Sequence, residues 1–377
     1  MQEKIKVGIL GCGNISGQYL EMAKNFPILE IAACSDLDAS KTKAASEKYK
    51  IPKICSLEEM LADPSIQIVL NLTIPKVHGP TGLQIVSAGK HVYLEKPLSI
   101  TRDEAKKIMD AAKAKNVRVG CAPDTFMGSG LQTARKLLDA GAIGKPVAFT
   151  ALMMNYGPEH WHPNPEFFYQ VGGGPMFDIG PYYVTAMLNL LGPVKRIAGM
   201  AAISAPQRAI THKDRTTGQP MPKFGQMMPV ETPDHVCGTM EFQNGCVGTL
   251  ITSFASRFAT YDGKQPITIY GTDGTMRVPD PNMFDGAVHV RRKDDADWTE
   301  VPLEFVKGYG RAVGLADMAY AIRSNRPMRA SGEQAFATLD IMQGFLESST
   351  KSAFYQPQVK YMRPAPMPAG LPFGTLD

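Results

Sequence analysis

The sequence predicts an α/β protein built on two sheets: an N-terminal doubly wound parallel sheet, then a C-terminal α/β domain with a large, mostly antiparallel open sheet. Three observations carry that reading. Through the first third of the chain, short runs rich in Val, Ile and Leu alternate with helical stretches, as βαβ units require. A glycine-bearing turn, Gly11-Cys12-Gly13-Asn14-Ile15-Ser16, lies between the first run and the first helical stretch. After about residue 145 the texture changes to period-two segments separated by turn residues. At 377 residues the chain exceeds what one small core organises, so this change marks a second domain.

In chain order, strands are expected at Ile5–Leu10, Leu29–Ser35, Ile66–Leu72, His91–Leu94 and Val117–Cys121, with helices near 15–26, 40–49, 77–89 and 101–115 between them. Thr101, with Glu104 three residues on, signals the start of the last of these. Pro146–Asn155 reads as a strand, and Gly172-Gly173-Gly174-Pro175 breaks the chain before a helix at about 177–191. Alternating segments follow at Asp234–Phe242, Val247–Ser256, Pro266–Tyr270, Thr275–Val278 and Val288–Arg292, the first two joined by the hairpin signal Gln243-Asn244-Gly245. Helices at 311–324 and 332–350 end the second domain. Residues 204–232 read as a long loop and 357–377 as a Pro/Gly-rich arm.

Composition excludes several classes of partner. Lys plus Arg is 40 against 36 for Asp plus Glu, a scattered excess that leaves no footprint for nucleic acid or an anionic membrane. No run of about 18 apolar residues occurs. The six cysteines show no CxxC spacing and read as reduced thiols of a cytoplasmic protein. Met1-Gln2-Glu3-Lys4 leads straight towards the first strand, with no apolar leader.

Four segments carry chemistry. In the glycine turn, Gly11 permits a tight turn and Gly13 lets backbone approach a pyrophosphate, while the N–H groups of Asn14 and Ile15 open a helix that binds the anion. Asp36 ends the second strand, where a carboxylate bonds both ribose hydroxyls and repels a 2′-phosphate, favouring NAD over NADP; it reads also as a helix cap before Ala39. Thr73-Ile74-Pro75-Lys76-Val77-His78 follows a strand at the edge where ligands bind, although His78 by itself reads as a capping or packing residue. Glu95-Lys96-Pro97 closes the strand His91–Leu94. Near a positively charged nicotinamide and partly desolvated, the Lys96 amine is expected to drop towards neutrality and accept a proton, whereas in isolation it reads as a surface lysine. Last, Asp178 and Tyr182 are four apart, on one helical face, where a carboxylate and a phenol can converge on a hydroxyl; the plain alternative is a dipole-favoured aspartate beside a half-buried ring.

Gly11-x-Gly13, Thr73-x-Pro75-x-x-His78, Glu95-Lys96-Pro97 and Gly172-Gly173-Gly174 with Asp178-x-Gly180-x-Tyr182 occur in the order and spacing of the Gfo/Idh/MocA oxidoreductases, which the chain resembles over residues 4–350. The resemblance implies a Rossmann domain at 1–123 binding NAD(P) through Gly11, Gly13, Asn14, Ile15, Asp36, Thr73, Pro75, His78, Glu95 and Lys96. It implies a substrate-binding and oligomerisation domain at 124–356, whose last long helix packs back on the first, and a tail at 357–377. Lys96 matches the family's lysine and Asp178 its substrate-orienting aspartate. Many members carry histidine where Tyr182 stands, and an aspartate where Thr185 stands. Tyrosine there is similar to the branch of glucose–fructose oxidoreductase and dimeric dihydrodiol dehydrogenase, so the proton acceptor is Tyr182, Lys96 or both as a coupled pair.

Tyr156, His160, Trp161 and His162 add polar rings and an indole suited to the apolar face and hydroxyls of a sugar, and suited equally to packing a domain interface; no ligand set completes a metal site around the histidines. The expected substrate contacts are Lys96, Asp124, Tyr156, His160, His162, Asp178 and Tyr182. The function expected is hydride transfer between a secondary hydroxyl of a sugar, glycoside or cyclic polyol and nicotinamide, in a homo-oligomer formed through the C-terminal sheet. Two rival readings are an NAD-dependent glycoside hydrolase or lyase working by transient oxidation, and a non-catalytic dinucleotide sensor.

Overall fold

The computed structural model describes residues 4–377; the expected leaderless start at Met1-Gln2-Glu3 lies outside the described residues. Six parallel strands form the first sheet: β1 (Ile5–Leu10), β2 (Leu29–Ser35), β3 (Lys53–Ile54), β4 (Ile68–Asn71), β5 (His91–Leu94) and β6 (Val119–Cys121), in the order β3-β2-β1-β4-β5-β6. Helices α1 (Ser16–Ala23), α2 (Ala39–Tyr49), α3 (Leu57–Ala62), α4 (Pro75–Ser87) and α5 (Arg102–Lys115) connect them. Buried runs such as Ile68–Asn71, closed to solvent on both faces, explain why these strands read as continuous apolar stretches rather than alternating ones. The order reverses between β1 and β4, so the turns after both strands open into one crevice.

The rest of the chain builds α6 (Ser129–Asp139), β7 (Pro146–Met154), α7 (Gly174–Asp178), α8 (Gly180–Leu191), β8 (Val194–Ala202), the small ladder β9 (Gln207–Ala209) and β10 (Met227–Pro229), then β11 (His235–Phe242), β12 (Val247–Ser253), β13 (Ile267–Gly271), β14 (Gly274–Val278), β15 (Val288–Arg292) and β16 (Thr299–Val301). Eight of these strands form one sheet, β16-β15-β14-β13-β7-β12-β11-β8, antiparallel except where β7 runs parallel to β12. The final helices α9 (Val313–Arg323) and α10 (Gly332–Lys351) return towards the first sheet: α9 packs on β6 and α1, and α10 lies on β8 while reaching α5 and β6. The arm 357–377 has no helix or strand but is pinned throughout: Asp340 accepts from the N–H of Gln358 and Val359, and Gln132 accepts from that of Met367.

Several elements escape a reading by pattern, the short β3, α3, β9, β10 and β16 among them. Strand β8 is spelled Val-Lys-Arg-Ile-Ala-Gly-Met-Ala-Ala, poor in the β-branched residues that mark strands. Its small residues serve packing, since a Cβ at Gly199 would meet the Phe345 carbonyl oxygen at 2.5 Å, so α10 lies directly on the strand backbone. Helix α6 has a helical period, with Leu131, Ala134 and Leu138 on one face, but it buries Ser129 through Arg135 without interruption, polar residues included. The helix expected at 177–191 is two helices, broken at Ile179.

Asp124 does not face substrate. It is fully buried, and its Oδ2 accepts from the backbone N–H of Ala312 at 3.2 Å and of Gly314 at 2.9 Å, where α9 begins. A carboxylate suits that positive helix end. It also holds Ala312 at φ +102°, a conformation L residues rarely adopt. Burial pushes the Asp124 pKa up from 3.8 to about 6, against the opposing pull of the Gly314 N–H and Arg311. A carboxyl harder to ionise folded than unfolded contributes stability that is complete below pH 3.8 and is lost as pH rises through about 6. Asp124→Asn keeps an acceptor for both N–H groups and never ionises. Relative to the parent, it is expected to gain about 3 kcal/mol between acid and neutral pH. Denaturant unfolding of both proteins across that range measures the difference; one that stays constant with pH would contradict a buried ionisable group.

Candidate active site

The glycine turn follows β1 as expected. Gly11 adopts φ +97°, and a Cβ there would lie 2.7 Å from the Leu72 carbonyl oxygen, so the turn closes against the end of β4 only with glycine. At Gly13 a Cβ would meet nothing within 4 Å, leaving open approach to the backbone. Helix α1 starts after Ile15 with no side-chain cap; the Ser16 and Gln18 N–H groups bond the Gly13 and Ile15 oxygens, which leaves those of Asn14 and Ile15 to meet an anion. Asp36 ends β2 half-buried; its Oδ2 accepts from Cys12 N–H at 2.7 Å and its Oδ1 from Asp38 N–H at 2.9 Å. Each carboxylate oxygen keeps a lone pair for a ribose hydroxyl. The cap of α2 is Asp38, not Asp36. This crevice fits the pyrophosphate and ribose of a dinucleotide.

Two residues expected at the cofactor point elsewhere. His78 is fully buried, its Nδ1 2.7 Å from the Pro97 carbonyl oxygen and its Nε2 2.9 Å from that of Thr73. The ring is a strut joining the loop after β4 to the loop after β5, and burial lowers its pKa despite the two carbonyls. The Glu95 carboxylate also turns inward. Its Oε1 accepts from Tyr19 Oη at 2.7 Å and its Oε2 from Lys96 N–H at 2.9 Å. Thr73 stays half-exposed at the crevice, its hydroxyl bonded to Asn71 Oδ1 at 2.7 Å, and Pro75 opens α4.

Lys96, Asp178 and Tyr182 do converge. Lys96 Nζ donates to Asp178 Oδ1 at 2.8 Å and to the Asp178 backbone oxygen at 2.7 Å. The break at Ile179 makes this possible. The Tyr182 N–H bonds to the Ile179 oxygen instead of reaching back to Asp178, so the Asp178 carbonyl is left for the lysine. Lys96 Nζ also stands 5.4 Å from the centroid of the Tyr182 ring.

The expected drop of the Lys96 pKa is reversed in the chain itself. Burial acts to lower it, but the nearby negative charge of Asp178, followed by Tyr182 and Glu95, outweighs burial and holds the amine firmly protonated. Burial pushes the Tyr182 phenol up, and the two cations Lys96 and Arg311 pull it back part of the way.

Arg311 was not singled out by the sequence. It stands immediately before α9, with Nη2 donating to Tyr182 Oη at 2.8 Å and Nη1 lying 3.6 Å from Glu95 Oε1. The one local signal is a cation at the positive end of a helix, an unfavourable place unless a partner waits there.

The ring-rich segment forms a neighbouring cluster. Tyr156 is covered by Arg257, whose guanidinium lies 3.3 Å from the ring centroid, with Arg208 at 4.9 Å. His160 is exposed, while His162 packs against Trp161, Phe167 and Phe168. Burial lowers the His162 pKa, and Asp178 lies near enough to act on it. The long loop is not free. Buried Arg208, from β9, bridges Glu159 at 2.8 Å and Asp234 at 3.0 Å, which seats residues 204–232 against this cluster.

Comparison with known proteins accords with this arrangement. Residues 5–122 match the model described as the oxidoreductase family, NAD-binding Rossmann fold, and residues 131–277 match the GFO/IDH/MocA C-terminal domain. Among curated relatives, 1,5-anhydro-D-fructose reductase of Ensifer adhaerens is 26% identical over 341 residues, covering 88% of this chain and 92% of its own. A scyllo-inositol 2-dehydrogenase (NADP(+)) of Bacillus subtilis is 26% identical over 199 residues, 52% of this chain and 54% of its own. Among solved structures, apo levoglucosan dehydrogenase superposes with a TM-score of 0.79 at 20% identity, covering 96% of this chain and all of its own, and its complex with NADH and L-sorbose gives 0.76 at 20% identity, covering 94% and 99%. At such identity the structural likeness is one of fold. The family models, the strand order and the paired lysine and aspartate agree: the chain is an oxidoreductase with an NAD-binding Rossmann domain and belongs to the Gfo/Idh/MocA family.

Proposed function

We propose that this oxidoreductase interconverts a secondary hydroxyl and a ketone on a sugar, glycoside or cyclic polyol, with Tyr182 as the group that exchanges the hydroxyl proton. The observation that carries this reading is the meeting of Lys96, Asp178 and Tyr182, brought together from elements on two different sheets. The printed activities of the relatives, acting on an anhydro-fructose and an inositol, support the substrate class.

NAD, when bound, supplies the hydride acceptor. Gly11, Gly13, Asn14, Ile15, Asp36 and Thr73 would hold it, and Asp36 supports NAD over NADP. Lys96 is a fixed positive charge rather than a base. It pairs with and orients Asp178, and it stabilises the oxyanion that forms on substrate or on Tyr182. Asp178, a half-exposed acceptor, orients a neighbouring hydroxyl. Tyr182 takes the carbinol proton as phenolate in oxidation and returns it as phenol in reduction. His160, His162 and Tyr156 border the substrate side.

A homo-oligomer is part of the proposal. Helices cover one face of the eight-stranded sheet, and the other carries Met200, Val247 and Tyr270 exposed. Light scattering that gives a monomer mass would remove it.

A panel of sugars, glycosides and inositols with NAD and NADP, followed by absorbance of the reduced cofactor, tests the substrate class. Reduction of NAD by at least one of them is expected, with NADP markedly poorer. Cleavage of a glycoside without net reduced cofactor would replace the dehydrogenase by a hydrolase.

Lys96→Ala is expected to lower turnover by about 10² or more while sparing NAD binding. Tyr182→Phe is expected to cost a similar factor and to flatten the rise of oxidation rate with pH. A Phe variant that keeps the parent's pH profile would remove Tyr182 from the proton step.

A further inference from the structure

Arg311 lies outside every motif that marks this site, yet it makes the one hydrogen bond to the Tyr182 oxygen found among the described residues. Its placement is costly. The guanidinium is mostly buried, with 13% of the side chain exposed, and it sits at the positive end of α9. Glu95 offsets that cost, and Glu95 is itself fixed by Tyr19 and by the Lys96 N–H. The backbone beside the arginine is fixed as well: Asp124 accepts from Ala312 and Gly314 and holds the unusual φ of Ala312. A buried guanidinium that faces Glu95, follows backbone fixed by Asp124 and gives its one hydrogen bond among the described residues to a phenol oxygen has a definite role.

We propose that Arg311 is a positioning residue that fixes the Tyr182 phenol with its proton directed at the substrate oxygen and favours the phenolate when that proton is exchanged. The first half follows from hydrogen-bond chemistry. A guanidinium has donors only, so the Tyr182 oxygen must accept, and its own proton is turned away from Arg311. No acceptor among the described residues takes that proton. Lys96 is a donor too and lies over the ring, so the direction left open is that of the substrate. The second half follows from charge. Lys96 and Arg311 both face Tyr182 from the side of the parallel sheet, against the negative charges of Glu95 and of Asp178, which is already engaged by Lys96. A cation hydrogen-bonded to the oxygen lowers the phenol's pKa. In reduction the phenolic proton passes to the carbonyl oxygen as the hydride reaches carbon; in oxidation the phenolate receives it back.

This inference rests on the assignment of Tyr182 as the proton-exchanging group, and its test separates the two. In protein labelled with carbon-13 at the tyrosine ring, the Tyr182 signal is the one of 13 that is lost in Tyr182→Phe. Its titration is then followed in the parent, in Arg311→Gln and in Arg311→Lys, without cofactor. The Gln variant is expected to raise the Tyr182 midpoint by about one pH unit or more, and Lys to restore part of the shift. The pH profile of kcat for oxidation should move upward by the same amount, about a tenfold loss at neutral pH. Because Glu95 keeps the Tyr19 and Lys96 donors, the Gln variant should fold, as thermal melting verifies. If it does not, the Lys variant carries the titration by itself. An unmoved Tyr182 midpoint in a folded variant overturns the role of Arg311. A moved midpoint together with a Tyr182→Phe enzyme of unchanged pH profile overturns the Tyr182 assignment and leaves the Arg311 contact standing.

Discussion

The site depends on a salt bridge that spans two sheets. Lys96 leaves the carboxyl end of β5 in the parallel sheet, and Asp178 ends α7 over the antiparallel one. Neither charge would be tolerated in so enclosed a place without the other, because desolvation of an isolated ion costs several kcal/mol even after relaxation. The amine takes both the carboxylate and the backbone carbonyl of Asp178, and the carbonyl is free because the helix breaks one residue later. A helix interruption, which reads as a defect in the pattern, thus completes the coordination of the lysine.

Around that bridge the charges alternate. Glu95 and Asp178 are anions, Lys96 and Arg311 cations, and Tyr182 lies between the two cations. This arrangement supports the proposal that Tyr182, rather than Lys96, moves the proton. Lys96 is bound to a carboxylate and held protonated, so releasing its proton would uncover a buried anion. Tyr182 is pushed up by burial and pulled down by its two cationic neighbours, and its ionised form is the one both neighbours stabilise. Under that proposal the family's lysine works as fixed charge, and the phenol, where other members carry histidine, as the exchangeable proton.

The sequence discloses residues whose partners are near in the chain and conceals those whose partners are far. Asp178 and Tyr182 are legible as neighbours in one short segment, although they lie on two helices and not on one helical face, and Lys96 because Glu95 and Pro97 flank it at a strand end. Inward or outward direction is not legible. Glu95, His78 and Asp124 all sit in recognisable segments, but each turns into the body of the protein, towards Tyr19, the Pro97 carbonyl and the start of α9. Those partners lie 76, 19 and 190 residues away, and no local pattern encodes them. Strand β8 fails for a related reason: its glycine and alanines answer to α10, about 150 residues on, rather than to strand propensity.

A consequence follows for how the domains cooperate. Tyr182 accepts its hydrogen bond from an arginine at the start of α9, a helix that packs against α1 and β6 of the parallel sheet. Lys96, the other cation, belongs to that same sheet, whereas the phenol rides on α8 above the antiparallel one. The electrostatic setting of the phenol is therefore supplied across the domain boundary, by groups anchored to the sheet that binds the dinucleotide. Coulomb interaction at these separations changes steeply with distance and with exclusion of water. A small change in the approach of the two sheets would act first on the acidity of Tyr182 and only then on the shape of the opening. Glu95, fixed by Tyr19, faces Arg311, and Asp124 fixes the backbone after it, so the arginine's approach to Tyr182 follows from the packing of α9 rather than from a loop.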